Sequence, residues 1–486
     1  MEYENLNKIY VSGIWRDGKS DYIVNVLNPF DNELIYQIKG ANQEDLNEAY
    51  ESAKIAQKEW AKRLPSERSA IVGKVADLIE QRKDEISKIM MKECGSTFIK
   101  QQVEISSTVS ICREAATFPT RMHGYIYDSY TLGKESRVYR KPLGVIGVIS
   151  PFNFPLSLSM RSVATAIAIG NSVVLKPAKD TPLVGGMLIA KLFEEAGLPA
   201  GVLNVIAGNT TEIGDSFSSH LIPNMISYTG STAVGIGIGK IAAEGLKKTA
   251  LELGGNNVFI VLKDADIDRA VSAALFGKFL HQGQICMAIN RILLQEEIAK
   301  EFTHKFIEKV KGLKYGNPAD KEVVIGPVIH DRAANRILKL IEDSVAEGAK
   351  IEVGGTKEGR VISPTVITNV TNESAIVKNE IFGPVAPIII FKDEDEMLDI
   401  ANSIEYGLSG AIHTSDINHG VQLAKKIETG MIHINDQTVN EEPNAPFGGV
   451  KFSGLGRFNG SFILEEFSTV QWVTVQQEPR DYGPFG

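Results

Sequence analysis

Three cysteines in 486 residues are too few for a disulfide framework, so Cys94, Cys112 and Cys286 point to a reducing, cytosolic compartment. Positive charge is also scarce. With 51 basic against 60 acidic residues the net charge is -9, which excludes a general attraction to nucleic acid or anionic membranes. No uninterrupted apolar run reaches the length of a membrane span. A long uncharged stretch, Leu143 to Met160, is broken by Pro151, Asn153 and Pro155 and reads as a buried strand turning into a helix. The first residues, Met1-Glu-Tyr-Glu-Asn5, are acidic, and no signal peptide is expected. The eight histidines show no metal-ligand spacing, so no metal is expected.

The chain is too long for one compact core, and two or three domains are expected. Apolar positions at helical spacing predict helices over Glu44–Leu64 and from Ser66 to just before Gly95. Short apolar runs then recur about every 25 residues: Val145–Ser150, Ser172–Lys176, Val202–Ala207, Met225–Thr229 and Thr249–Leu253. Helical segments lie between them, Leu183–Ala196 before Gly197 and Ser231–Glu244 before Gly245. This alternation predicts a doubly wound α/β domain, whose ligands bind beyond the carboxyl ends of the strands. A second α/β region follows. Its strands are Val258–Leu262 and Arg291–Gln295 with others near Val366, Ile388 and Ile432, and its helices are Asp266–Leu280, Glu296–Leu313 and His330–Ala349. No flexible linker separates the regions, so a site between them is expected. Tyr125–Lys141, with Gly133 at its middle, reads as a hairpin, and Phe467–Val475 as a strand. Either these pair across subunits or they form an ordinary peripheral sheet.

Cys286 lies in Phe279-Leu-His-Gln-Gly-Gln-Ile-Cys286, on a turn made by Gly283 and Gln284. A lone cysteine is more often a small buried hydrophobe than a nucleophile. Glu252, in Leu251-Glu-Leu-Gly-Gly255, ends a strand between two leucines, where desolvation raises a carboxyl toward useful base strength; otherwise it merely bridges backbone. Asn153, in Ser150-Pro-Phe-Asn-Phe-Pro155, follows the first strand and suits a helix N-cap. His281 has no partner for a Cys–His dyad in view and is expected to pack or hydrogen-bond structurally.

Together these strings resemble the aldehyde dehydrogenase superfamily over essentially the whole chain. The resemblance implies that the Cys286 thiolate attacks the aldehyde carbon, giving a thiohemiacetal and then a thioester. It implies that the Asn153 amide and the Cys286 N–H form an oxyanion hole, and that Glu252 deprotonates the hydrolytic water. It further implies an NAD or NADP site. No G-x-G-x-x-G follows the first strand, and Gly235-Ile-Gly-Ile-Gly239 is a near miss in the wrong place. The family instead sets the pyrophosphate on a later turn, here Tyr228-Thr-Gly230-Ser231-Thr, with Gly208 on the neighbouring turn. Lys176 matches the lysine that reaches ribose hydroxyls; Glu380 and Phe382, in Glu-Ile-Phe-Gly-Pro384, match the pair at the nicotinamide ribose. Ser150, Pro151, Phe152 and Leu253 complete the expected cofactor wall. Many NAD-preferring members carry an acid where this chain has Lys179, so NADP is expected to be accepted beside NAD, unless Lys179 points to solvent.

The details are similar to the aromatic branch, which includes benzaldehyde, vanillin and salicylaldehyde dehydrogenases. They are Ile434-Asn-Asp-Gln-Thr-Val439, Pro446-Phe-Gly-Gly-Val450 and Gly456-Arg-Phe-Asn-Gly460, with Asn459 replacing a glycine. Leu158, Ile285, Met287 and Val439 are expected to form an apolar slot for an aryl ring, or else to be plain core. Arg161 either orients a phenolic oxygen or bridges to Glu441 or Glu442. The expected architecture is a dinucleotide-binding domain over 1–120 and 142–253, a catalytic domain over 254–452, and oligomerisation strands over 121–141 and 466–486. The expected partners are a small-molecule aldehyde and a second copy in a homodimer or homotetramer, with no nucleic acid and no membrane. Two rivals stay open: an aliphatic or semialdehyde dehydrogenase, and a non-catalytic dinucleotide-binding or structural protein on the same scaffold.

Overall fold

The computed structural model describes residues 3–485. Five parallel strands form the centre of the first sheet, in the spatial order Leu203–Val205, Ser172–Lys176, Val145–Ile149, Met225–Thr229, Lys248–Glu252. All but the last are wholly or almost wholly buried along their length, which suits a sheet covered by helices on both faces. Chain order reverses between Val145–Ile149 and Met225–Thr229. That topological switch point opens a crevice at the strand ends, where Ser150 and Gly230 lie. An N-terminal hairpin, Ile9–Val11 with Ile14–Arg16, extends one edge, and Gly454–Leu455 lies antiparallel to the other, pairing Leu455 with Leu251 and Gly454 with Glu252.

The second sheet has seven strands, with Val385–Phe391, Ile289–Gln295, Asn257–Val261 and Gly410–His413 as its parallel centre. Its faces carry two apolar clusters. The largest core belongs to the first sheet, yet it also takes in Ile285, Met287, Ala288, Leu408 and Phe447, so the two sheets meet across a shared apolar interface. Among the described residues no helix is long and apolar enough to cross a membrane.

The expected helices form with shifted ends. Asn42 caps Gln43–Trp60, exchanging hydrogen bonds with Asp45 as a capping box. The helix stops at Trp60 because Pro65 opens the next one, Pro65–Gln81. What the spacing reads as one helix up to Gly95 is two, interrupted at Arg82, with Lys83–Cys94 ending on Gly95 at φ +62°. Phe98–Ala115 is a further helix without an apolar stripe. Its buried residues include Lys100, Gln101, Glu104 and Thr108. The two peripheral segments pair with each other inside one chain: Ser468–Gln476 runs antiparallel to Lys134–Pro142 over nine residue pairs, with Tyr125–Asp128 outermost.

Candidate active site

Cys286 follows a turn in which His281, Gln282 and Gly283 all take positive φ (+50°, +57° and +72°). Two non-glycine residues in this region cost energy, so the surroundings must hold the turn. The Gln282 amide donates to Pro327 O (2.8 Å) and its oxygen accepts from Gly326 N (3.0 Å), while Gln284 Oε1 accepts from Ile329 N (3.0 Å). From the other side the Asn257 amide donates to Cys286 O at 2.8 Å. Gly255 passes so close that a Cβ there would stand 2.2 Å from the same carbonyl, which is why this position takes no side chain.

The sulfur faces two cavities at once. One, of about 510 Å³, runs along the switch point and is walled by Ser150, Pro151, Phe152, Gly230, Ser231 and Leu253 from the first sheet, with Glu380 and Phe382 opposite. Phe152 and Phe382 meet edge to face at 5.9 Å. The other, about 160 Å³, is narrower and mainly apolar, with Leu158, Ile285, Met287, Val439 and Phe447 in its wall. Asn153, Leu158 and Cys286 border both.

Asn153 is not a helix N-cap: Phe154 holds that position for Pro155–Ala168. The helix start is capped instead by the carboxylate of Glu104, which accepts from Leu156 N (2.8 Å) and Ser157 N (3.3 Å). This leaves the Asn153 amide free to turn toward the cysteine loop, where Nδ2 donates to Gln284 O at 2.9 Å. The Cys286 N–H has no acceptor among the described residues. One orphan N–H and one side-chain amide thus belong to residues that border the same two cavities, the pair of donors that an oxyanion site would need.

Glu252 is 1% exposed, and neither carboxylate oxygen has a partner among the described residues. Burial pushes its carboxyl up to about 8, against the attraction of Arg161 and Arg457. The Cys286 thiol is pushed up to about 12, chiefly by burial and then by the nearby Glu252. The thiol is therefore protonated in the resting geometry, with a partly desolvated base close by.

The larger cavity fits a dinucleotide. Ser231 is the N-cap of Thr232–Glu244 but makes no side-chain cap bond, which leaves first-turn N–H groups for an anion. Lys176 is 7% exposed and makes neither hydrogen bond nor ion pair to another described side chain, an arrangement suited to ribose hydroxyls. Its ammonium is pulled down to about 8 by burial. Glu380 accepts from Gly255 N at 3.0 Å, and burial raises it to about 7. Lys176, Lys179 and Gly208 do not form the cavity wall. Lys176 sits at the neighbouring strand end, Ala178 lines the cavity beside an exposed Lys179, and Gly208 packs on Ala41 and Ile213. Gly235, part of the near-miss glycine string, lies inside a helix against Leu253.

Arg161 reaches neither cavity. Its Nη1 donates to Glu441 Oε1 at 3.2 Å, and its guanidinium stacks on Phe447 and Phe458. Of its two expected acid partners Glu441 is the one used. His281 packs edge-on against Phe154, but neither ring nitrogen finds a partner among the described residues, so the expected choice between packing and hydrogen bonding falls to packing. Sequence reasoning missed Val103 and Ser107 in the narrow cavity because their helix has no apolar stripe. It also missed Arg332 and Arg336 on the wide one. The signal there is a pair of arginines four positions apart at the start of Asp331–Ala346, the helix that His330 caps.

Residues 15–473 match the aldehyde dehydrogenase family model. The chain belongs to the aldehyde dehydrogenase family. It is 48% identical to a benzaldehyde dehydrogenase of Bacillus subtilis, covering 99% of each chain. It is also 48% identical to a vanillin dehydrogenase of Corynebacterium glutamicum, covering 97% of this chain and 98% of that one. Among solved structures, an NAD-dependent benzaldehyde dehydrogenase from Corynebacterium glutamicum superposes with a TM-score of 0.90 at 45% identity, covering 97% and 98%. This aldehyde dehydrogenase thus shares full-length architecture with enzymes named for aromatic aldehydes.

Proposed function

We propose that this aldehyde dehydrogenase oxidises aromatic aldehydes to carboxylic acids with NAD or NADP. The observation that carries the reading is the position of Cys286 at the junction of a wide, dinucleotide-sized cavity and a narrow apolar one. An aryl ring enters the narrow cavity between Leu158, Ile285, Met287 and Val439, so its carbonyl carbon stops at the sulfur. Cys286 gives up its proton through Glu252 to solvent and forms a C–S bond as the carbonyl π bond opens, and the carbonyl oxygen becomes an oxyanion held by the Cys286 N–H and Asn153 Nδ2. Each such donor contributes on the order of 3 kcal/mol. A nicotinamide bound in the wide cavity would supply the acceptor for the aldehyde C–H hydrogen as hydride. Glu252 then removes a proton from water, which attacks the thioester, releasing the acid and restoring the thiol. Lys176, Ser231 and Glu380 would hold the dinucleotide at ribose, diphosphate and ribose respectively.

The domain division at 1–120 with 142–253, 254–452, and the two peripheral strand segments is part of this reading. So is assembly as a homodimer or homotetramer, supported by the exposed outer strand in which Tyr125, Ile126 and Tyr127 are 52%, 73% and 54% exposed. Three free cysteines support a cytoplasmic setting. Glu252→Gln should release a single burst of NADH with benzaldehyde and then stall as an acyl-enzyme visible by intact mass. Turnover at the parental rate would remove Glu252 from the mechanism. A panel of benzaldehyde, vanillin, succinic semialdehyde and hexanal tests the substrate class, and a kcat/KM favouring either of the last two overturns the aromatic assignment.

A further inference from the structure

Two buried ionisable groups with unmet hydrogen-bonding capacity stand on either side of the Phe447-Gly448 turn. Arg161 is 1% exposed, and its Nε and Nη2 have no acceptor among the described residues. Its guanidinium carbon lies 4.2 Å from the ring centre of Phe447 and 4.7 Å from that of Phe458. Those two residues are bonded back to back, Phe447 N to Phe458 O at 3.0 Å and Phe458 N to Phe447 O at 2.8 Å, so the aromatic clamp is fixed in width. The next residue, Gly448, runs along Glu252, where a Cβ would meet Oε1 at 3.0 Å. Arg161 is ion-paired with Glu441 and not directly with Glu252. Asn459, the residue that departs from the motif, stands at φ +65° and donates to the same Glu441 oxygen at 3.1 Å.

We propose that Arg161 is a positioning residue for Glu252: a clamped, buried cation that favours the ionised carboxylate, with Glu441 setting how much of its charge is felt. The inference rests on the role given to Glu252 above. Cation–aromatic stacking holds a guanidinium without neutralising it, so its field persists in a desolvated site. The charges acting on Glu252 are Arg161 on the Pro155–Ala168 helix and Arg457 and Glu441 on the C-terminal loops, with the titratable but neutral Cys286 thiol nearby. Arg457 is tied to Gly449 O and Gly456 O at 2.8 and 2.7 Å. Burial is the main influence on the carboxyl; Arg161 is the largest opposing one, ahead of Arg457, and Glu441 acts with burial.

This arrangement makes the two halves of one ion pair act in opposite directions, which a purely structural pair would not do. The test measures deacylation of the benzoyl-enzyme against pH in parent, Arg161→Met, Arg161→Lys and Glu441→Gln, with the NADH burst counting competent sites. Arg161→Met should displace the rising limb to higher pH by about one unit, slowing deacylation about tenfold at neutral pH. Arg161→Lys should restore most of the loss, and Glu441→Gln should displace the limb to lower pH. Displacement of both in the same direction, or of neither, overturns the proposal. Should Arg161→Met fail to fold, Glu441→Gln decides alone: an unmoved limb there overturns it. Glu252→Gln, run in parallel, should abolish the limb; a surviving limb overturns the role of Glu252 itself and this proposal with it.

Discussion

Replacing Lys100 by Met probes how the oxyanion side of the site is held. Lys100 and Glu104 form an ion pair in which both side chains are 0% exposed. The other oxygen of Glu104 caps the helix that starts two residues after Asn153. Met keeps most of the aliphatic stem but leaves a buried carboxylate without its countercharge, a change that costs about 3–5 kcal/mol. Adding Glu104→Gln should recover much of that. The amide oxygen still accepts from Leu156 and Ser157, and the remaining loss is the charge assistance of those bonds and the ammonium's contact with Phe154, about 1–2 kcal/mol. Hydrogen exchange of the peptide spanning residues 150–160 reports this locally. About 3 kcal/mol lost in the cap should speed opening-limited exchange there on the order of a hundredfold in Lys100→Met. The double variant should exchange more slowly than Lys100→Met. If it exchanges as fast or faster, the carboxylate is not stranded by loss of the lysine and the electrostatic account fails.

Asn153→Ala should lower kcat for NADH formation about a hundredfold, through loss of one oxyanion donor, with KM for aldehyde little changed; a loss confined to KM would contradict that role. Lys179→Glu should lower kcat/KM with NADP at least about tenfold while sparing NAD, because an acid beside Ala178 repels a 2′-phosphate; an unchanged ratio removes the residue from cofactor choice. Glu252 also makes stability depend on pH. Its carboxyl is raised by burial to about 8, so the folded state holds a proton that the unfolded chain releases in the usual glutamate range. The protein should therefore lose stability as pH rises from about 4.5 to 8, by at most a few kcal/mol. Glu252→Gln should flatten that slope, measured as Tm between pH 5 and 9. Parallel curves for parent and variant would mean the carboxylate is already ionised near neutrality.

The parallel strands were legible because each is a short apolar run ending at a glycine or a polar turn, and their spacing leaves room for one crossover helix. The candidate site residues could be proposed from strings, since Cys286, Glu252 and Asn153 each sit near the end of a strand or helix. What escaped was whatever depends on burying polar groups. The Phe98–Ala115 helix turns Lys100, Gln101, Glu104 and Thr108 inward, so apolar periodicity has nothing to register there. The break at Arg82 has no proline or glycine to announce it. Arg161 was recognised as unusual, yet its partners are rings at 447 and 458, almost 300 positions away in sequence, and no local pattern joins them.

The last strand, Ser468–Gln476, joins residues some 330 positions earlier in the chain. During synthesis the Tyr125–Pro142 hairpin therefore leaves the ribosome long before the edge strand that pairs with Lys134–Pro142 exists, and presents a bare backbone edge beside exposed tyrosines throughout that interval. The Asn171 amide and the Lys248 ammonium likewise wait for carbonyls of Phe467 and of Glu465. Nascent chains of this protein are thus most prone to misassociation before Ser468–Gln476 emerges, and a truncation that removes this strand should yield aggregates rather than a shortened enzyme.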